Sequence, residues 1–416
     1  MTVPASSSRY PWLVVLMLWA ISCFNYADRQ AIFSVFSVLE KEFGLSTVEL
    51  GLLGSSFAWA YGLSGPLAGM AVDRMKRKTA ILTGLQVWSF ICAATATART
   101  FPQLVLFRAA EGLGETMYFP ASMSMISDYH GKATRSRAMG FHQTSVYVGT
   151  IAGGYFAALL AEKHGWRWSF IVFGGLGMVL GLLLYFFLKE PVRGQADVRD
   201  DKVKPISMSE FLGVLRRTPT ALLLMGAFLC SNFVAVVLLT WMPKFIGDRF
   251  GLSLSAAGLT ATLYVQLASM AGSALGGYLA DWWRSKSPRG RAGVQCLGVL
   301  CGAPFVALCG MSQSVTVLIV ALTFWGLFKG LYDANIWASL FDVIRPEARG
   351  TAVGTMNMMG WLAGGGTAPI VIGWVASGAG LGPAIALASG VYVLAAIFLL
   401  VAIFLYIEKD VQKVAG

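Results

Sequence analysis

The chain has 416 residues, of which 56% are hydrophobic and only 13% are charged, and its formal net charge is +11. A soluble domain is about one quarter charged, so this composition excludes an ordinary soluble enzyme. The lysines and arginines lie in short segments between long apolar stretches, which is unlike the basic patch of a nucleic-acid-binding protein. We therefore expect a protein that lies in the lipid bilayer and has no nucleic-acid partner.

Twelve apolar stretches follow one another along the chain, each long enough for the roughly 20 residues that a helix needs to cross a bilayer. Their predicted limits are 11–38, 48–70, 79–99, 103–127, 138–161, 168–188, 220–246, 254–280, 292–311, 315–343, 351–376 and 382–407. The sequence thus predicts an all-α membrane protein with twelve transmembrane helices. All six cysteines lie within these stretches and have no CxxC spacing, so we interpret them as small packing residues.

The distribution of basic residues predicts the orientation in the membrane. One set of loops holds Arg74, Lys76, Arg77, Lys78, Lys132, Arg135, Arg137, Arg284, Lys286, Arg289 and Arg291. The opposite loops hold only Lys41, Arg99, Lys163, Arg167, Lys244 and Arg249. Because cytoplasmic loops carry the excess of basic residues, we expect the first set and both termini in the cytoplasm of a plasma (inner) membrane protein. The first ten residues contain one basic residue and do not resemble a signal peptide.

The two halves of the chain repeat one another. The matched segments are Phe43–Ser46 with Phe250–Ser253, Gly69–Asp73 with Gly277–Asp281, and Asp128, Arg135 and Gly140 with Asp342, Arg349 and Gly354. Repeats of this parallel kind are typical of transporters in which two bundles rock about a central site. We predict a pseudo-symmetric pair of six-helix bundles, 1–188 and 220–416, joined by a cytoplasmic linker at 189–219.

The segment from Gly69 to Lys78, with Asp73, Arg74 and Arg77, resembles the signature loop of the major facilitator superfamily, and Gly277–Asp281 resembles its second copy. The first copy departs at Lys76, where that family usually has glycine. The resemblance implies the major facilitator fold and a gating role for Gly69, Asp73, Arg74, Arg77 and Asp281. Physically, an acidic residue at a helix end can pair with nearby basic residues or cap the next helix.

Away from the ends of the predicted membrane helices, seven charged residues fall inside them: Asp28, Arg29, Arg108, Glu111, Glu115, Lys329 and Asp333. Each costs at least about 2.5 kcal/mol at the centre of a span, so charged residues there indicate function. Spacings of three and four put Arg108, Glu111 and Glu115 on one helical face. The same spacings allow Glu111 to neutralise Arg108 and Asp333 to neutralise Lys329.

The repeat aligns residues of the two halves near the middle of the membrane. Asn25 aligns with Asn232, Glu115 with Lys329, and Tyr118 with Tyr332. We predict that these six residues line a central substrate cavity. Lys329 then has two possible roles: a third ligand of the anion, or an ion-pair partner of Glu115 or Asp333.

Asn25 to Arg29, with Arg108, Glu115 and the Thr240–Pro243 segment, is similar to the anion:cation symporters, which include galactonate, hexuronate and sialic-acid carriers. That resemblance implies proton binding at Asp28 and Glu115. It implies that Arg29 and Arg108 hold the substrate anion or order the gate, and that Asn357 contacts the substrate. Glu111 and Lys329 are not part of the expected pattern. We expect a monomeric secondary active transporter that moves a sugar acid or other carboxylate with protons.

The main alternative is a Spinster-like carrier of lysolipids or sphingolipids, because Gly112–Glu115 following Arg108 also resembles that group. Drug:proton antiporters fit less well, since Gly154 stands where their motif has proline. A non-transporting sensor would need an added signalling domain. The sequence contains no Ser-His-Asp set, metal-spaced cluster or nucleotide loop, so we expect no enzyme activity, no cofactor and no metal.

Overall fold

The computed structural model describes residues 9–131, 133–192 and 208–415, and within these ranges the regular structure is helical and contains no strand. In the first half, the spans are α1 (Tyr10–Ser34), α2 (Thr47–Arg74), α3 (Arg77–Thr95), α4 (Phe101–Glu115 and Tyr118–Tyr129), α5 (Arg135–His164) and α6 (Trp166–Phe187). In the second half, they are α7 (Pro219–Phe250), α8 (Leu254–Arg284), α9 (Gly290–Met311), α10 (Val315–Asp333 and Ile336–Val343), α11 (Arg349–Met359, Gly360–Gly365 and Ala368–Ala379) and α12 (Leu381–Val401, Ala402–Tyr406 and Ile407–Ala415).

The twelve-helix prediction is confirmed, and the helix limits agree with the predicted ones to within a few residues at most ends. In the described part of the chain, nine of the twelve are long and apolar enough to cross a membrane by length and composition alone. The predicted single helix at 11–38 is wrong. α1 ends at Ser34, because Val35 leaves the helical conformation (φ −111°, ψ 8°), and a separate short helix begins at Phe36 and ends at Phe43.

The repeated Phe-Gly-Leu-Ser segment has a structural explanation in both halves. Gly44 and Gly251 each adopt φ 65°, a left-handed conformation that ends the preceding helix and that glycine adopts without steric cost. Two residues later, a serine side chain accepts a hydrogen bond from the first turn of the next helix, from Glu49 N at Ser46 and from Ala256 N at Ser253, both at 3.3 Å. The sequence repeat is therefore a repeated stop-and-start signal between two spans.

α5 is interrupted by a π-helical turn at Gly153–Ala157, where the helix passes between α1 and α8. A Cβ atom on Gly153 would lie 2.3 Å from the Ala27 carbonyl oxygen. A Cβ atom on Gly258 would lie 2.0 Å from the Gly154 carbonyl oxygen. Only glycine permits these approaches, and the contact of Gly154 with Gly258 brings the two halves of the chain together backbone to backbone.

The two ends of the bundle differ. We call the end with the α2–α3 and α8–α9 loops the basic face, and the end with Gly44 and Gly251 the distal face. Among the described residues, hydrogen bonds join the halves from the middle of the bundle to the distal face. They are Tyr147 with Ser273 (3.4 Å), Trp59 to Leu362 O (3.2 Å), Gln30 to Leu239 O (3.0 Å), Thr47 to Gly373 O (2.8 Å), Ser37 to Asp248 (3.3 Å) and Lys244 to Glu40 (2.5 Å). The distal face is closed by these contacts.

Toward the basic face, six glycines of α2, α5, α8 and α11 meet open space, where a Cβ would have no neighbour within 4 Å among the described residues. They are Gly65, Gly69, Gly140, Gly277, Gly350 and Gly354. On the same helices toward the distal face, Gly51 and Gly154 abut the other half. A cleft between the halves therefore opens to the basic face.

Ion pairs organise the helix ends at the basic face within each half. Arg77 Nε lies 2.6 Å from Asp128 in the first half. In the second half, Arg291 contacts Asp342 at 2.7 Å and Asp281 at 3.2 Å. Asp281 thus pairs with a basic residue of the next helix, one of the two arrangements considered for the signature loop. The side chain of its counterpart Asp73 lies outside the described residues.

Candidate functional site

The site is built first from α1 and α4, which carry five of the seven intramembrane charges. Arg29 Nε of α1 lies 2.5 Å from Glu115 Oε2 of α4. The Arg29 side chain is 11% exposed and the Glu115 side chain is fully buried, so the guanidinium reaches the cleft while its partner does not. A charge-assisted hydrogen bond of this kind is about twice as strong as a neutral one.

Aromatic rings surround the Arg29 guanidinium. Its central carbon lies 4.8 Å from the ring centroid of Tyr26, 5.0 Å from Phe57 and 4.7 Å from Tyr61. A fourth ring, Trp361 of α11, lies 5.7 Å away and comes from the second half. Each cation–π contact contributes about 0.5–2 kcal/mol, depending on how far the cation is desolvated. The arginine is thus held at the boundary between the halves.

A second ion pair lies deeper in the first half. Arg108 Nη1 pairs with Glu111 Oε2 one turn along α4, and both side chains are 1% exposed. The Arg108 guanidinium lies 4.7 Å from the ring centroid of Phe57, the same ring that contacts Arg29. Phe57 therefore contacts both arginines, the one that faces the cleft and the one that is enclosed.

Asp28 lies on the enclosed side of α1 and is fully buried. Neither of its carboxylate oxygens has a hydrogen-bond partner. One oxygen of Asp28, one of Glu111 and Cys92 Sγ of α3 lie within 4.8 Å of one another. These atoms could hold a cation by their chemistry, but Arg108 already supplies a positive charge to Glu111. As the helical angle between neighbours predicts, Asp28 and Arg29 point in different directions.

The second half contributes one ion pair to the cleft. Lys329 Nζ pairs with Asp333 Oδ2 on the same helix, with side chains 16% and 29% exposed. Tyr26 and Tyr147 of the first half are close enough to interact electrostatically with Lys329. Of the partners considered from sequence, Asp333 therefore holds Lys329 in this conformation, while Glu115 is held by Arg29.

Most of the other predicted ligands are packed inside their own half in this conformation. The Tyr118 hydroxyl donates to the Leu18 carbonyl at 2.6 Å and lies 3.0 Å from His142 Nε2. Asn232 donates to the Gly360 carbonyl at 2.6 Å. Tyr332 and Asn25 are 1% exposed. Asn357 on α11 is half-buried. The part of these five residues in substrate binding stays a prediction.

Sequence reasoning did not single out the aromatic rings around Arg29. Tyr26 was visible as the residue three positions before Arg29, a spacing that puts both on one face of α1. Tyr61 and Trp361 had no such signal, because their contact with Arg29 depends on how α2 and α11 pack against α1. His142 and Gln143 border the same small cavity as Arg29 and Glu115.

Known proteins with similar sequences include several that are named as transporters. The chain is 26% identical over 415 residues to a D-galactonate transporter of Escherichia coli O6:H1, covering 93% of this chain and 94% of that protein. It is 26% identical to a hexuronate transporter of Bacillus subtilis, covering 92% of each. It is also 26% identical to Protein spinster of Drosophila melanogaster, covering 89% of this chain and 62% of that protein.

A similar solved structure is that of a bacterial homologue of the human lysosomal transporter Spinster, in an inward-facing and unoccupied conformation. It superposes with a TM-score of 0.82 at 23% identity, covering 99% of this chain and 98% of that chain, and this likeness concerns the fold alone. The family profile described as Major Facilitator Superfamily matches residues 18–369, most of the chain. The chain therefore belongs to the Major Facilitator Superfamily, a family of multi-pass membrane transporters.

Proposed function

We propose that this protein is a proton-coupled symporter of a small organic anion, a sugar acid or another carboxylate, that works by alternating access. The observation that carries the proposal is the Arg29–Glu115 pair at the wall of the cleft. Arginine offers a flat, permanently charged fork that can bind a carboxylate through two hydrogen bonds. A substrate carboxylate and Glu115 are therefore competitors for the same guanidinium.

This competition supplies the coupling. Protonation of Glu115 removes its negative charge and releases Arg29 for the incoming anion. Binding of the anion in turn displaces Glu115 and favours its protonation, because coupling between two ligands is reciprocal. Proton and anion then favour each other's binding, which is what symport requires. We propose Asp28 as the second proton site and Arg108 as the residue that orders it.

Alternating access requires that the closed face open while the open face closes. Lys244 is 6% exposed and bridges Glu40 of the first half (2.5 Å) and Asp248 of its own helix (2.7 Å). Opening the distal face would break the Lys244–Glu40 contact. Closing the basic face would bring its free glycines into contact across the cleft, as Gly154 and Gly258 meet now.

The remaining features of the proposal come from sequence. We propose that 1–188 and 220–416 rock as two bodies joined by the linker at 189–219, and that the signature loop, with Gly69, Asp73, Arg74, Arg77 and Asp281, gates the cytoplasmic side. The basic face and both termini would lie in the cytoplasm of a plasma membrane protein that acts as a monomer. The names of the D-galactonate and hexuronate relatives support a carboxylate as substrate.

A Spinster-like lysolipid carrier is the second candidate, and one feature favours it. An apolar groove of about 400 Å³ lies between α1, α5 and α6, lined by residues such as Phe24, Phe156 and Phe173. A groove of this kind could accept an acyl chain. The buried charges on α1 and α4 favour the carboxylate, since a lipid tail makes no use of them.

Uptake into proteoliposomes distinguishes the candidates. The purified protein is reconstituted and given D-galactonate, D-glucuronate or a lysophospholipid, with and without an inward proton gradient. We expect accumulation of a carboxylate that requires the gradient and that neutral sugar analogues do not inhibit. Equal inhibition by neutral analogues, or gradient-driven uptake of the lysophospholipid alone, would reject the anion proposal.

A further inference from the structure

The enclosed part of the first half contains more acids than bases. Its ionisable carboxyl groups are Asp28, Glu111 and Glu115, and its enclosed guanidinium group is Arg108; Arg29 adds a second guanidinium from the wall of the cleft. Each arginine is taken by one glutamate. Asp28 is left with no ion-pair partner among the described residues, and it is fully buried. An isolated ionised carboxylate in such surroundings neutralises itself by binding a proton.

The neighbours of Asp28 indicate where this proton is shared. Glu111, Glu115 and Arg108 of α4 act on Asp28 through their charges, and the Cys92 thiol of α3 is placed to donate a weak hydrogen bond to it. α5 brings His142, whose Nε2 is engaged with the Tyr118 hydroxyl. Glu111 Oε1 is buried and has no hydrogen-bond partner, and a Glu111 oxygen lies within 4.8 Å of an Asp28 oxygen. A protonated carboxyl group has one O–H to donate. Glu111 Oε1 and Glu115 Oε1 are both buried without a partner, but it is Glu111 that has an oxygen within 4.8 Å of Asp28 and of Cys92.

We propose that Asp28 and Glu111 hold one proton between them, so that Glu111 is a positioning residue of the proton site. Glu111 takes the Arg108 guanidinium away from Asp28 and accepts the Asp28 proton on its other oxygen. Loss of that proton leaves Asp28 ionised, and Arg108 then shifts from Glu111 toward Asp28. Two buried nitrogens of Arg108, Nε and Nη2, have no partner in the present arrangement and are free to make this second contact.

This assignment rests on the proposed function only for its use in transport. The geometry itself distinguishes Glu111 from Glu115, because Glu115 pairs with an arginine that reaches the cleft and Glu111 pairs with one that does not. The two pairs therefore have different tasks: Glu115 exchanges Arg29 with the anion, and the Asp28–Glu111 pair stores a proton out of contact with the anion.

Infrared spectroscopy of the purified, full-length protein tests the pair without any substrate. The carboxylic acid C=O band is followed between pH 5 and 8 in wild type, Asp28→Asn, Glu111→Gln and Glu347→Gln, which removes an exposed acid at the basic face. We expect a wild-type band that persists at neutral pH and is absent in Asp28→Asn. In Glu111→Gln, Arg108 is released to stabilise the Asp28 carboxylate, so the band should disappear at a lower pH than it does in wild type. Glu347→Gln should match the wild type.

A band that titrates in Glu111→Gln at the same pH as in wild type would overturn the proposal. Loss of the wild-type band on adding NaCl at constant pH would also overturn it, because that loss would indicate a sodium site. Should Glu111→Gln not yield folded protein, Glu111→Asp replaces it. The shorter side chain must then move the frequency of the Asp28 band, and an unchanged frequency would equally overturn the proposal. Failure of the uptake panel would reject anion transport and leave these results intact.

Discussion

Replacing Glu115 by glutamine separates proton binding from anion binding. The amide has the shape of the protonated acid, and it no longer competes as an anion for Arg29. In the present conformation, an incoming carboxylate must displace an Arg29–Glu115 contact of 2.5 Å that is almost fully buried. A hydrogen bond to a charged group is worth about 1.5–3 kcal/mol, which corresponds to roughly a 10- to 150-fold change in dissociation constant.

We therefore expect Glu115→Gln to bind D-galactonate about 10- to 150-fold more tightly than wild type above the pH at which Glu115 ionises. Wild-type affinity should fall as pH rises, because ionised Glu115 reclaims Arg29. The variant should keep its affinity across that range. Equilibrium binding to the purified protein between pH 5 and 8 gives both results.

The matched control is Glu42→Gln. Glu42 also pairs with an arginine, Arg167 at 2.7 Å, but at the distal face with side chains 37% and 41% exposed. Its replacement should leave both the affinity and its pH dependence as in wild type. A Glu115→Gln variant whose dissociation constant still follows pH as the wild type does would refute the competition between Glu115 and the anion.

Three further predictions follow from the ion pairs. Arg29→Lys keeps the charge but loses the fork, so D-galactonate should bind about 10- to 150-fold more weakly by isothermal titration; unchanged affinity would contradict a role for Arg29 in anion binding. If Lys329 is an anion ligand held back by Asp333, Asp333→Asn should tighten anion binding and Lys329→Met should weaken it. Equal changes of anion affinity in the two variants would show that the pair is structural. Lys244→Met should favour opening of the distal face by about 1–2 kcal/mol, a five- to thirty-fold shift in population. Spin-label distances between the two halves at the distal face measure this shift, and Lys163→Met, which removes an exposed lysine, is the control. A distance distribution unchanged by Lys244→Met would contradict the prediction.

The fold was predictable because its signals are local. Apolar length marks the spans, and the glycine and serine of each Phe-Gly-Leu-Ser copy act through their own backbone conformation and their own side chain. The π-helical turns at Gly153–Ala157 and Gly360–Gly365 were not predicted, because helical periodicity assumes a regular turn throughout. These turns lie where α5 and α11 pack against other helices, and that packing is not visible in the sequence.

The same distinction applies to the candidate site. The pairs Arg108–Glu111 and Lys329–Asp333 could be predicted, since residues three or four apart on one helix are neighbours. The Arg29–Glu115 pair joins two helices, and its existence depends on how α1 and α4 are rotated toward each other. The repeat suggested Lys329 as a partner of Glu115 because it aligns residues by depth. Depth alone does not determine which side chains come within hydrogen-bond distance.

The arrangement of the pairs leads to one last step. In the present conformation, Arg29 is held by Glu115 within the first half, and Lys329 is held by Asp333 within the second. Each half is therefore neutralised internally, and these charges do little to draw the halves together. Under the proposed function, a carboxylate that takes Arg29 from Glu115 adds a negative charge on the side of the cleft that Lys329 faces. Such an anion would attract both halves at once, and closure of the basic face would then require the proton on Glu115 and the anion on Arg29 together.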